Sequence, residues 1–113
     1  MKEIKAFVRS KKADKIVEAM EGLGISDITL VDVLGMGEHM VNYDESKYSI
    51  KVVQKYSDIS KLEMVCKAEE VDRILEVLRS VAYTGQKGDG IIYVTPVEKV
   101  IKIRTGALDM DAL

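Results

Sequence analysis

Two short glycine runs and a pair of cations are the residues best suited to chemistry in this 113-residue sequence. Gly35 and Gly37 stand in one run, and Gly85, Gly88 and Gly90 in the other, so five of the eight glycines fall in two places. Glycine accepts positive φ and lets backbone N–H groups come close to an oxyanion, which is how phosphate cradles are built. Glycines also make ordinary turns, and Gly88-Asp89-Gly90 is neither a Walker A loop nor a dinucleotide fingerprint. Lys102 and Arg104 lie two apart. On an extended segment they face the same way and can converge on one anion. Residues 84–106 carry four basic against two acidic side chains, in a chain whose formal net charge is −2. Solvated strand residues paired with surface carboxylates would look the same.

Residues for catalysis are sparse. His39 is the one histidine and Cys66 the one cysteine, and no serine has a base close by in sequence. Cys66 continues the alternation Leu62, Met64, Cys66 and is expected in the core. Asp44 and Glu45 are adjacent and diverge, a poor acid–base pair; with His39 they could hold a cation. Met36 and Met40 flank the start of that segment as adaptable contacts or anchors. No enzyme activity is expected. A single cysteine excludes an intramolecular disulfide and Cys-rich zinc or iron–sulfur sites. Seventeen Lys and Arg against nineteen Asp and Glu argue against binding nucleic acid by bulk charge. The charged start MKEIKAFVRSKKADK has no signal-peptide run, and no stretch approaches a membrane span. These features predict one cytoplasmic domain over 1–113, with no membrane insertion.

The elements that must position these residues follow from periodicity. Ile4, Ala6 and Val8 alternate with Lys5, Phe7 and Arg9 as in a strand. Ser10 can cap a helix in which Ala13, Ile16, Val17, Met20 and Leu23 recur, stopped by Gly22 and Gly24. A strand follows over 27–34, then a polar segment, then strand character over 48–56 and 61–66. Val71, Ile74, Leu75, Leu78, Val81 and Ala82 mark an amphipathic helix that a Glu69–Arg73 pair can support. Residues 84–90 read as a turn, 91–95 as a strand closed by Pro96, 97–104 as extended and 106–113 as a polar tail. The order is that of an α+β, ferredoxin-like split βαβ domain (βαββαβ).

The run T-G-Q-K-G-D-G-I-I-Y-V-T-P-V-E-K-V-I-K-I-R-T-G over 84–106 resembles the C-terminal signature of the PII nitrogen-regulatory signalling proteins. That signature reads T-G-x-x-G-D-G-K-I-F-V-x-P-V-x-x-x-x-R-I-R-T-G. The opening K-x-I-x-A strand, the run Ile28–Gly37 and the V-D-R-I-L helix start at Val71 agree with it. The resemblance implies a ferredoxin-like homotrimer with adenine nucleotides in the clefts between subunits. A protruding T-loop, about 37–57, would signal to a target protein such as a transporter or metabolic enzyme, and 97–113 would form a C-terminal segment with a short strand. Thr84 would belong to the nucleotide site, and Gly88, Asp89 and Gly90 would cradle phosphates through backbone N–H groups, with Lys102 and Arg104 pairing to them. Thr29 and Val65 would lie at the adenine, and Gly35, Met36, Gly37 and Glu38 at the base of the T-loop. Glu38, Tyr43, Asp44, Glu45, Lys47 and Tyr48 would meet the partner.

This sequence departs from the family pattern at several of those positions. The lysine after G-D-G is Ile91, and the first C-terminal arginine is Lys102, a point charge rather than a fork. The arginine and glutamine after the second T-loop glycine are Glu38 and His39, and the lysine associated with 2-oxoglutarate aligns near Ile59. The Y-R-G-A-E-Y segment is absent. ADP or AMP is therefore expected over ATP, His39 becomes a candidate metal ligand, and magnesium-dependent 2-oxoglutarate sensing is disfavoured. Two other readings stand beside nitrogen control. One is a PII-like sensor of inorganic carbon, a cyclic nucleotide or metal stress. The other is an acylphosphatase-like hydrolase, for which Arg9-Ser-Lys-Lys lacks a glycine-rich cradle.

Overall fold

A computed structural model describes residues 1–25, 27–32 and 59–113. Strand β1 (Lys2–Arg9) leads through a 3-10 turn at Ser10–Lys12 into helix α1 (Ala13–Gly22). Strands β2 (Ile28–Asp32) and β3 (Ile59–Cys66) follow, then a 3-10 turn at Ala68–Glu70, helix α2 (Val71–Ala82) and strand β4 (Ile91–Pro96). The sheet order is β2-β3-β1-β4 with every pairing antiparallel, the ferredoxin-like arrangement read from the sequence.

Period-2 patterning decides which face is covered. Ile4, Ala6 and Val8 of β1 and Leu62, Met64 and Cys66 of β3 point inward, where Ile16 and Met20 of α1 and Ile74 and Leu78 of α2 meet them. Each large side chain sealed there contributes about 1.5–3 kcal/mol by leaving water. Burial also pushes the Cys66 thiol up from its ordinary range, as expected of a packing residue rather than a nucleophile. The opposite face presents Glu3, Lys5 and Phe7 beside Lys61, Glu63 and Val65, and among the described residues no helix packs on it.

Four local expectations change. Ser10 does not cap α1; its hydroxyl shares a hydrogen bond with the buried Ser60 hydroxyl at 2.8 Å, and the α-helix begins at Ala13. Arg73 does not meet Glu69 but donates to the Leu23 carbonyl at 3.4 Å, tying α2 to the end of α1. Beyond Val97 the chain is not extended through Arg104. Ile101 bridges Leu108, Lys102 N–H donates to Ala107, Gly106 N–H donates back to Lys102, and 103–105 form the tip of a small hairpin. The carboxyl end is no loose polar tail either, because Asp109–Ala112 form a 3-10 turn and Ala112 is buried. The segment expected as a strand over 48–56 lies outside the described residues, as do 33–47.

Candidate functional site

The glycine-rich loop between α2 and β4 closes around one carboxylate. Asp89 Oδ2 accepts the backbone N–H groups of Thr84 at 2.8 Å and Gly85 at 2.9 Å. Its Oδ1 accepts the Thr84 hydroxyl and, at 3.0 Å, Arg9 Nε from the end of β1. The Thr84 hydroxyl oxygen in turn accepts the Gln86 N–H at 3.2 Å. These donors, Thr84 foremost, hold the Asp89 carboxyl well below the usual carboxylate range. Its oxygens thus face the interior of the loop, while Gly88 and Gly90 on either side of it are exposed.

The loop can take this path only with glycine at its exit. Gly90 has φ +104°, and a Cβ there would overlap the Phe7 carbonyl oxygen, so β4 enters the sheet hard against β1. The next residue is Ile91, paired opposite Phe7 and exposed, at the position where a lysine was expected from the resemblance. Phe7, Arg79, Tyr83 and Ile91 with Gly90 line a cavity of about 330 Å³ beside the loop.

A second, larger cleft of about 610 Å³ opens elsewhere, and three expected contacts line it: Thr29, Val65 and Lys102. Thr29 pairs with Glu63 across β2 and β3, and Val65 pairs with Glu3 across β3 and β1, which puts all four on the uncovered sheet face. Lys102 reaches the cleft from the C-terminal hairpin, and Leu113, beyond the 3-10 turn, also lines it. Lys61 lies 3.0 Å from Glu63, and its hydrogen bond lowers the Glu63 carboxyl below its ordinary value. Arg104 is not part of this lining; it stands exposed on the hairpin tip, so the two cations do not converge as an extended segment would have made them.

The expected site residues therefore divide into two groups at different ends of the molecule. The loop meets β1 at Phe7 and Arg9, whereas the cleft meets it at Glu3. Six residues of strand span about 20 Å. Gly35, Met36, Gly37, Glu38 and His39, and with them Tyr43, Asp44, Glu45, Lys47 and Tyr48, lie outside the described residues. Among the described residues no cluster of three or more His, Cys, Asp or Glu is arranged to hold a metal ion, and no helix is long and apolar enough to cross a membrane. Arg9 is the residue that sequence reasoning missed. Its partner is eighty residues away, and only its place at the outward-facing end of a strand could have drawn attention to it.

The sequence profile of the family described as Nitrogen regulatory protein P-II matches residues 1–107. Three relatives named Nitrogen regulatory protein P-II align over the whole of this chain and the whole of their own: 37% identical in Azospirillum brasilense, and 35% in both Rhizobium meliloti and a Synechocystis strain.

Proposed function

Because this chain belongs to the P-II family of nitrogen regulatory proteins, we propose that it is a non-enzymatic, homotrimeric sensor of adenine nucleotides. Each nucleotide sits between neighbouring copies, and residues 37–57 pass the signal to a target protein of nitrogen use, a transporter or a metabolic enzyme. The observation that carries this reading is the division of the candidate site. A loop suited to phosphates and a cleft holding Thr29, Val65 and Lys102 lie about 20 Å apart along one chain. A single nucleotide reaches both only if the loop of one copy faces the cleft of the next. Closed symmetry then repeats the same contact around the assembly.

The nucleotide preference follows from charge. Each phosphate added to the ligand needs a cation or donor, and this chain carries Ile91 and Glu38 at two positions where the family resemblance placed cations. ADP or AMP should bind about tenfold or more tightly than ATP, the factor that one lost charge-assisted contact supplies. Calorimetric titration of the full chain with AMP, ADP and ATP, paired with sedimentation to read the assembly, tests both parts. A monomer that binds nucleotide, or ATP binding far tighter than ADP and AMP, overturns this reading.

A further inference from the structure

The geometry points to Arg9 as the positioning residue that turns the Gly88 N–H outward toward an anionic ligand. This inference rests on the nucleotide reading for the identity of the ligand, but not for the orientation itself. The Arg9 guanidinium brackets Gly88 from both sides in sequence. Nη2 donates to the Lys87 carbonyl at 2.7 Å, and Nε donates to Asp89 at 3.0 Å. A Cβ on Gly88, which has φ +96°, would come within 3.3 Å of Nη2, so the fork packs against that residue.

A trans peptide fixes the rest. In a planar trans unit C=O and N–H point in opposite directions, and none of the described peptides is cis. Pinning the Lys87 carbonyl onto Arg9 therefore aims the N–H of Gly88 away from the guanidinium. The Asp89 carboxylate already offsets the positive charge of Arg9. What Arg9 supplies to the site is direction rather than net charge.

That distinction gives the test. A lysine keeps the charge, but one ammonium on a flexible stem does not reproduce the fork that reaches both the Lys87 carbonyl and Asp89. Arg9→Lys and Arg9→Gln in the full chain should weaken ADP binding alike, by roughly tenfold. In ligand-free protein both should move the Gly88 amide resonance and speed amide exchange at Thr84 and Gly85, with the thermal midpoint reporting that the fold is intact. ADP affinity retained in Arg9→Lys but lost in Arg9→Gln would make Arg9 a mere charge and overturn the proposal. An unmoved Gly88 amide in both variants would overturn it as well. If the unmutated chain binds no ADP yet the Gly88 amide shifts in both variants, the nucleotide reading falls while the positioning role of Arg9 stands.

Discussion

Two loops of this chain are each closed by an aspartate, and they finish differently. Asp89 gathers Thr84, Gly85 and Arg9, and the loop it closes lies against β1. Asp109, at φ +51°, accepts the Val100 N–H at 3.1 Å while its own N–H bonds the Val100 carbonyl at 2.8 Å, closing the C-terminal hairpin. Yet that hairpin leaves Ile101, Leu108 and Met110 exposed, and Ile103 at its tip is 99% exposed between Lys102 and Arg104. Among the described residues neither cation makes an ion pair. The first loop is ordered by its own chain. The second has a fixed backbone but side chains that gain from burial against something else, which suits a surface shared between copies.

The sharpest way to break this contrast is to put a methyl group into each loop. Gly90→Ala forces a Cβ into the Phe7 carbonyl at positive φ and should cost about 3 kcal/mol or more in urea unfolding. Gly106→Ala, at φ +72° with open space around it, should cost only about 1 kcal/mol. Equal losses would mean that the two loops are held alike. Next in size, Ile103→Ser should leave the fold within about 0.5 kcal/mol while weakening self-association by roughly tenfold, read by sedimentation.

Acid titration probes the first loop alone. Asp89 has a folded-state pKa below its unfolded one, so its stabilisation is complete above the unfolded value of about 4 and drains away as pH falls through the folded value. Asp89→Asn should be less stable than the unmutated chain at neutral pH, and its stability should fall less steeply below about pH 4. Parallel acid curves for the two proteins would count against the carboxylate closing the loop. The smallest effect is expected at Arg73, whose single 3.4 Å bond to Leu23 makes Arg73→Ala worth no more than about 0.5 kcal/mol in the same unfolding assay.

Local order was legible wherever period alone decides it. The alternation in β1 and β3 and the stripe along α2 announce which side chains are buried, because burial on one face is what those periods encode. Ser10 misled because its hydroxyl had two suitors, a helix terminus three residues away and Ser60 across the sheet, and only the tertiary fold brings the second within reach. Residues 97–104 read as an extended segment, while the hairpin that forms is set by Ala107, Gly106 and Asp109 beyond them. The G-D-G glycines showed where a phosphate cradle could lie. That Asp89 turns inward, and that Arg9 holds it, depends on β4 lying beside β1.

The division of the candidate site between the two ends of β1 has a genetic corollary. A chain damaged in the glycine loop still offers a sound cleft, and a chain damaged at Lys102 still offers a sound loop. In the assembly proposed above, neither would form a working site with its own kind. Expressed together, they would meet in mixed assemblies where the good loop of one faces the good cleft of the other. Two alleles, each without function alone, would then restore nucleotide response in the same cell.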